Sequence, residues 1–303
     1  MNFQTIRSFI RISRPIFLLG AALVYALGVG IAKYLGFQIN WEVYILGQLW
    51  VTGMQLTALY ISEYFDFISN PKNVHRTLFS NGSNANGENE LPANVSLYAA
   101  ITSLTAVAIS TFDMLRLGLV NPAVALVMAL IFLGALFYSL PPVRLITRGY
   151  GELTISIIVA NLVPALGFIL QSGEFHRLLS MSTFPLTFLF LALNIAYELP
   201  NYASDLKNER QTLLIRLGWQ KGMVLHNVLI LTSFLMLGLA MVMGLPIAVS
   251  WQGFLALPLG LFQIWYLSKI EDGIKPQWST FKLSATALFG LMAYLMAFAF
   301  WIR

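Results

Sequence analysis

The sequence has no cysteine among its 303 residues. That excludes disulfides, thiolate metal sites and cysteine nucleophiles. Charge is scarce too: only 10% of residues are Asp, Glu, Lys or Arg, against about a quarter in a soluble domain. With 58% hydrophobic residues and a mean hydropathy of +0.73, the chain cannot cover a water-facing surface, and its solvent must be largely lipid. No internal repeat is evident, and the one short biased tract is the Asn/Gly-rich SNGSNANGENE. The glycines fit neither the phosphate-binding GxxxxGK[ST] pattern nor a dinucleotide fingerprint. The alternating ten-residue pattern of a membrane barrel is absent. The N-terminus has arginines but no short apolar core followed by a small-residue cleavage site, so it does not read as a removed signal peptide.

What is present is a series of long apolar runs. Nine stretches, near 15–35, 41–62, 93–112, 120–139, 152–171, 181–200, 223–243, 249–268 and 281–302, can each cross about 30 Å of hydrocarbon as a helix. No linker composition separates them. The expectation is an all-α integral membrane protein: one domain over 1–303, a bundle of nine transmembrane helices with two long cytoplasmic loops over a central cavity. Nine spans put Arg7, Arg11, Arg14, Lys72, Arg76, Arg144, Arg148, Lys207, Arg210, Arg216, Lys221, Lys269, Lys275 and Lys282 on one side. Only Lys33, Arg116, Arg177 and Arg303 fall on the other. This asymmetry predicts a cytoplasmic N-terminus and a C-terminus outside, in a cytoplasmic or inner membrane. The net charge of +5 mostly reflects it. It suits anionic headgroups or an anionic substrate and gives no sign of nucleic acid.

The two long loops carry the chemistry. After the second span, SEYFDFISN places Glu63, Asp66 and Asn70 at i, i+3, i+7, one face of a continuing helix. Two carboxylates that close repel each other unless a cation sits between them, and Mg²⁺ takes oxygen ligands that it shares with phosphates. After the sixth span, YELPNYASDLKNERQTLLIRLG repeats the theme with Glu198, Asn201, Asp205 and Glu209, followed by Arg210 and Arg216. Two such oxygen-rich helix ends on one side, each leading to cations, could hold metal bridged to a diphosphate. A solvated helix end is the plainer reading of either stretch alone. Between them, YSLPPVRLITRGYGELT holds Arg144 and Arg148 near the headgroup level, as phosphate grips or as simple positive-inside anchors. His75, His176 and His226 receive no role. The spans carry almost no charge at mid-membrane, which argues against an ion or proton path.

These segments resemble the UbiA superfamily of intramembrane aromatic prenyltransferases over nearly the whole chain: RISRPIFLLGAALVYALG, SEYFDF, YSLPPVRL, GYGELT and TLLIRLG. The nearest likeness is to the branch that prenylates 1,4-dihydroxy-2-naphthoate in menaquinone synthesis, where members read NEYFDYxxD and EFPDYEADKxxGKRTLxxRLG. The resemblance implies nine helices with Asp-rich motifs after the second and sixth. It implies Glu63, Asp66 and Asp205 as catalytic metal ligands for Mg²⁺. It further implies Asn70, Lys72, Tyr138, Arg144, Asn201, Arg210 and Arg216 as substrate-binding positions. The partners implied are a prenyl diphosphate, an aromatic acceptor and membrane lipid. Departure of the diphosphate would leave an allylic carbocation for an electron-rich ring carbon to attack.

The sequence departs from that pattern where charge matters. Asn70 and Asn201 stand where each motif has Asp, Ser62 replaces Asn, Asn81 replaces Gly, and Glu209 replaces the Gly before the basic pair. Each Asp→Asn exchange keeps the shape and removes a negative charge, which weakens a site for an ion that prefers charged oxygen. Two readings therefore follow: an active prenyltransferase with altered metal demand, or a catalytically weakened or inactive homologue that keeps the lipid cavity and binds isoprenoid lipid or a partner membrane enzyme.

Overall fold

The computed structural model describes residues 9–10, 12–69, 93–207 and 210–303, and these are helical almost throughout. In chain order the elements are α1 (Pro15–Tyr34), α2 (Trp41–Ser69), α3 (Ala93–Arg116), α4 (Pro122–Ser139), α5 (Gly151–Ser172) and α6 (Arg177–Glu198). The short α7 (Tyr202–Lys207) and α8 (Leu213–Leu217) precede α9 (Trp219–Val242), α10 (Ile247–Glu271) and α11 (Trp278–Trp301). Among the described residues, eight helices are long and apolar enough to cross a membrane. The stretch expected at 41–62 falls on α2, which is longer than expected at 29 residues. It is not one of the eight, because Gln48, Thr52, Gln55 and Thr57 dilute its apolar content.

Large apolar side chains such as Leu19, Leu49, Phe112, Leu235 and Leu283 are exposed, as lipid-facing positions should be. Inward, the helices pair closely: α2 on α3, α6 on α9, and α1 between α5 and α11. Small residues permit the tightest approach. A Cβ added at Gly28 on α1 would lie 1.9 Å from the Pro164 carbonyl oxygen on α5, so backbone meets backbone there. Polar groups in the bundle find partners across helices. The Trp50 indole donates to Thr111 at 2.9 Å, Thr183 donates to Asn161 at 2.7 Å, and Ser233 donates to the Pro185 carbonyl at 2.7 Å.

Proline shapes two of these helices. α5 widens into a π-turn over Ile158–Leu162 just before Pro164, which lacks the N–H that would continue the ladder. α10 tightens to a 3₁₀ turn at Phe254–Ala256 ahead of Pro258. Between α1, α2, α4, α5 and α6 lies an apolar cavity lined by side chains that include Phe17, Met54, Ala135, Tyr138, Ile155 and Phe190.

Of the two expected long loops, the first lies mostly outside the described residues. The second is not a loop in the ordinary sense. The helix runs past Glu198 through a 3₁₀ turn, Leu199–Asn201, into α7, because Pro200 falls in the first turn where its missing N–H costs nothing.

Candidate active site

The first motif sits on the last turns of α2, so Glu63 and Asp66 do share a helix end. Each faces an arginine. Arg144, between α4 and α5, forms an ion pair with Asp66, with both side chains only about an eighth exposed (13% and 12%). Arg14, the residue before α1, stands 3.9 Å from Glu63. Both arginines hold left-handed backbone, at φ 37° for Arg144 and 47° for Arg14. Non-glycine residues seldom adopt it outside sites where the surrounding structure enforces it. Burial pulls the Arg14 guanidinium down from its usual range, while Glu63, Tyr138 and Asp66 push it back up and Arg210 lowers it further. Arg14 is thus where the first motif and the arginine of the second come together.

The second motif folds onto the same end. Asp205 on α7 is buried, and its carbonyl accepts from the Arg210 N–H at 3.0 Å. Asn201 turns its amide back, donating to the Tyr197 carbonyl at 3.4 Å. Arg210 is half-buried, and its Nε and one terminal nitrogen meet no acceptor among the described residues. Buried guanidinium N–H groups are costly without a partner, and an anion supplies one. Tyr138 is buried near the end of α4 and lines the cavity. The site therefore stacks a charged layer, with Arg14, Glu63, Asp66, Arg144, Asp205 and Arg210, against an apolar chamber.

Not every expected residue joins it. Arg216 lies 4.7 Å over the Tyr150 ring and against Gly149, where an added Cβ would meet its side chain at 2.5 Å. It clasps the α4–α5 turn. Arg148 does similar work, donating to the Pro142 carbonyl at 2.6 Å. Asn70 and Lys72, like His75, Asn81 and Glu209, lie outside the described residues.

Two further carboxyls are present here, Glu198 from the oxygen-rich face after the sixth span and Glu152, to which the sequence gives no role. Glu152, at the start of α5, is buried and accepts from the Leu213 N–H at 3.3 Å. Glu198, the last residue of α6, is wholly buried beside it. The signal for Glu152 was an acidic residue at the mouth of an apolar span, which is rare enough to mark function. His226 is buried in the bundle against Phe281, away from any role in this layer.

Comparison with known proteins agrees with this architecture. No protein of curated function matches the sequence. A UbiA homologue from Archaeoglobus fulgidus bound to GPP and Mg²⁺ superposes with a TM-score of 0.66 at 16% identity, over 95% of this chain and 99% of that one. A digeranylgeranylglyceryl phosphate synthase superposes with a TM-score of 0.61 at 13% identity, over 99% and 98%. An apo UbiA homologue from Aeropyrum pernix K1 gives 0.60 at 10%, over 93% and 96%. At these identities the likeness is one of fold. The sequence itself matches the UbiA prenyltransferase family over residues 23–286, nearly all of its apolar spans, and the protein belongs to that family.

Proposed function

We propose that this protein transfers a prenyl group from a prenyl diphosphate to a hydroxylated aromatic acceptor within the membrane, as a step in making a quinone or related lipid. The observation that carries the reading is the stacking of one charged layer on one apolar chamber. The chamber suits an isoprenoid chain, and the layer above suits its diphosphate. UbiA homologues from Archaeoglobus fulgidus bind GPP or DMAPP together with Mg²⁺, and the same pairing is inferred for this chain. The wider picture is nine spans in a single domain, with the N-terminus and the charged layer cytoplasmic and the C-terminus outside.

Glu63, Asp66 and Asp205 supply hard, charged oxygens of the type Mg²⁺ takes, although among the described residues no three acidic side chains are gathered into a metal site. When bound there, the ion would neutralise charge that builds on the departing diphosphate. The chain's own residues do the rest. Arg210, whose Nε and one terminal nitrogen meet no acceptor among the described residues, binds the diphosphate. Arg14 and Arg144 hold Glu63 and Asp66 in place and add positive charge beside them. The cavity walls exclude water from the allylic carbon, so that the acceptor and not water captures it. Tyr138, buried at the junction of layer and chamber, orients the reacting end.

A second reading has its own observation. With Asn70 and Asn201 in place of acids and arginines already beside Glu63 and Asp66, the site also suits a protein that binds a prenyl diphosphate without cleaving it. One assay separates the two: purified protein in nanodiscs with Mg²⁺, labelled prenyl diphosphates and a panel of phenolic acceptors, beside the Asn70→Asp, Asn201→Asp double variant. Prenylated product from the unaltered chain is expected. Tight diphosphate binding without product from either protein would overturn the enzymatic reading.

A further inference from the structure

Beneath the charged layer, the Glu152–Glu198 pair is not used by the chemistry described so far. Both residues are essentially inaccessible to solvent, at 1% and 0% exposure. Glu198 and Glu152 are close enough to interact electrostatically. Neither Glu198 oxygen meets an N–H or O–H donor among the described residues, and Glu152 Oε2 meets none either. Glu152 keeps one fixed contact, from the Leu213 N–H. Asn194, one turn before Glu198, donates to Ser156 at 3.1 Å and so ties α6 to α5 at this level. The charged and titratable groups around the pair are Asp205 on α7, Arg210 after it and Tyr138 on α4.

Two features point to a ligand. First, both Glu198 oxygens and Glu152 Oε2 meet no donor among the described residues, so the pair has lone pairs open to accept one. Second, the pair stands near the chamber, whose lining residue Tyr138 interacts electrostatically with both carboxyls. Ile155 follows Glu152 by one turn and Phe190 precedes Glu198 by two, and both line the cavity. A buried carboxyl with open lone pairs beside an apolar chamber requires a donor, and a substrate hydroxyl is one that can enter and leave.

We propose that the Glu152–Glu198 pair is the hydroxyl-recognition site and general base for the acceptor. This rests on the prenyl-transfer reading above. As the C–O bond to the diphosphate breaks, its electron pair leaves with the diphosphate. The acceptor's hydroxyl proton passes to Glu198, the oxygen's electrons flow into the ring, and the ring carbon forms the new C–C bond. The dienone so formed loses its ring proton to the departed diphosphate and recovers a proton on oxygen from Glu198. The sum is one proton and one diphosphate released for each bond made.

The test uses the full chain in nanodiscs. Glu198→Gln should keep its Kd for geranyl diphosphate within about threefold and lose transfer to an ordinary phenol by about 10²-fold or more, the usual scale of general-base catalysis. With a phenol acidic enough to be ionised at the assay pH, most of that loss should disappear, a rescue that a merely structural role would not give. Equal losses with both phenols, or loss of geranyl diphosphate binding along with transfer, would overturn the proposal. A wild-type measurement keeps the test independent of whether the variant folds. A phenol should bind at least about tenfold more tightly than its methyl ether, a difference of about 1.4 kcal/mol; equal binding would count against a hydroxyl site. If the unaltered protein prenylates no acceptor yet discriminates phenol from ether, the transfer reading fails and the recognition site stands.

Discussion

Arg210 and Arg216 are six residues apart, carry the same charge and follow the same motif, yet the structure gives them different work. Arg210→Met is the informative perturbation, because methionine keeps the apolar stem and removes the guanidinium. The Arg210 Nε and one terminal nitrogen have no acceptor among the described residues, so their partners come with the ligand. A hydrogen bond from a charged donor contributes about 1.5–3 kcal/mol, so losing it should weaken prenyl diphosphate binding roughly 10- to 100-fold. Stability should fall only modestly, through loss of a counter-charge near Asp205 and Glu198. Arg216→Met is the control. It removes a cation over the exposed Tyr150 ring, an interaction of about 0.5–1 kcal/mol at an exposed site. The unfolding midpoint should drop slightly while the Kd stays within about twofold, below roughly 0.5 kcal/mol. Titration of both variants in nanodiscs with a fluorescent geranyl diphosphate, beside thermal melts, reads both quantities. Equal weakening by the two substitutions, or none by Arg210→Met, would refute the assignment of Arg210 to the diphosphate.

Three further outcomes are expected. Gly28→Ala places a methyl 1.9 Å from the Pro164 carbonyl and should destabilise the bundle by about 1–3 kcal/mol or more, read as a lower Tm in detergent. Val159→Phe projects into the apolar cavity and should weaken long-chain prenyl diphosphates while sparing dimethylallyl diphosphate. At about 0.8 kcal/mol per displaced CH₂, two lost methylenes already cost roughly tenfold in competition binding. Asn201→Asp restores an acid where the amide now donates to Tyr197, and the Mg²⁺ concentration for half-maximal activity should fall by about tenfold. That is a discounted share of the roughly 4 kcal/mol between unit charges at 4 Å in a partly screened site.

How much was legible in the sequence varied with the range of the interactions. Helices follow from local apolar content, and every expected stretch falls on one. The shared face of Glu63 and Asp66 follows from helical period alone. The arginine pairings did not: Arg14 and Arg144 reach α2 from 49 and 78 positions away, on backbone turns that no local propensity favours. Arg216 matched the family pattern at its position, but its ring partner is set by how α8 lies against the α4–α5 turn. Glu152 lies inside the YSLPPVRLITRGYGELT stretch, where one carboxyl at a span's end reads as a boundary. Only its burial beside Glu198 makes it a site residue, and that is a fact of packing.

The most direct measurement is diphosphate release from geranyl diphosphate by the purified protein, with and without Mg²⁺, for the unaltered chain and for Asp66→Asn and Asp205→Asn. Release that requires Mg²⁺ and a phenolic acceptor, and that drops by about 10²-fold or more in each variant, is the expected result for carboxylates that hold the ion at the diphosphate. Release indifferent to Mg²⁺ and to both substitutions would contradict a metal–diphosphate site at the mouth of this cavity.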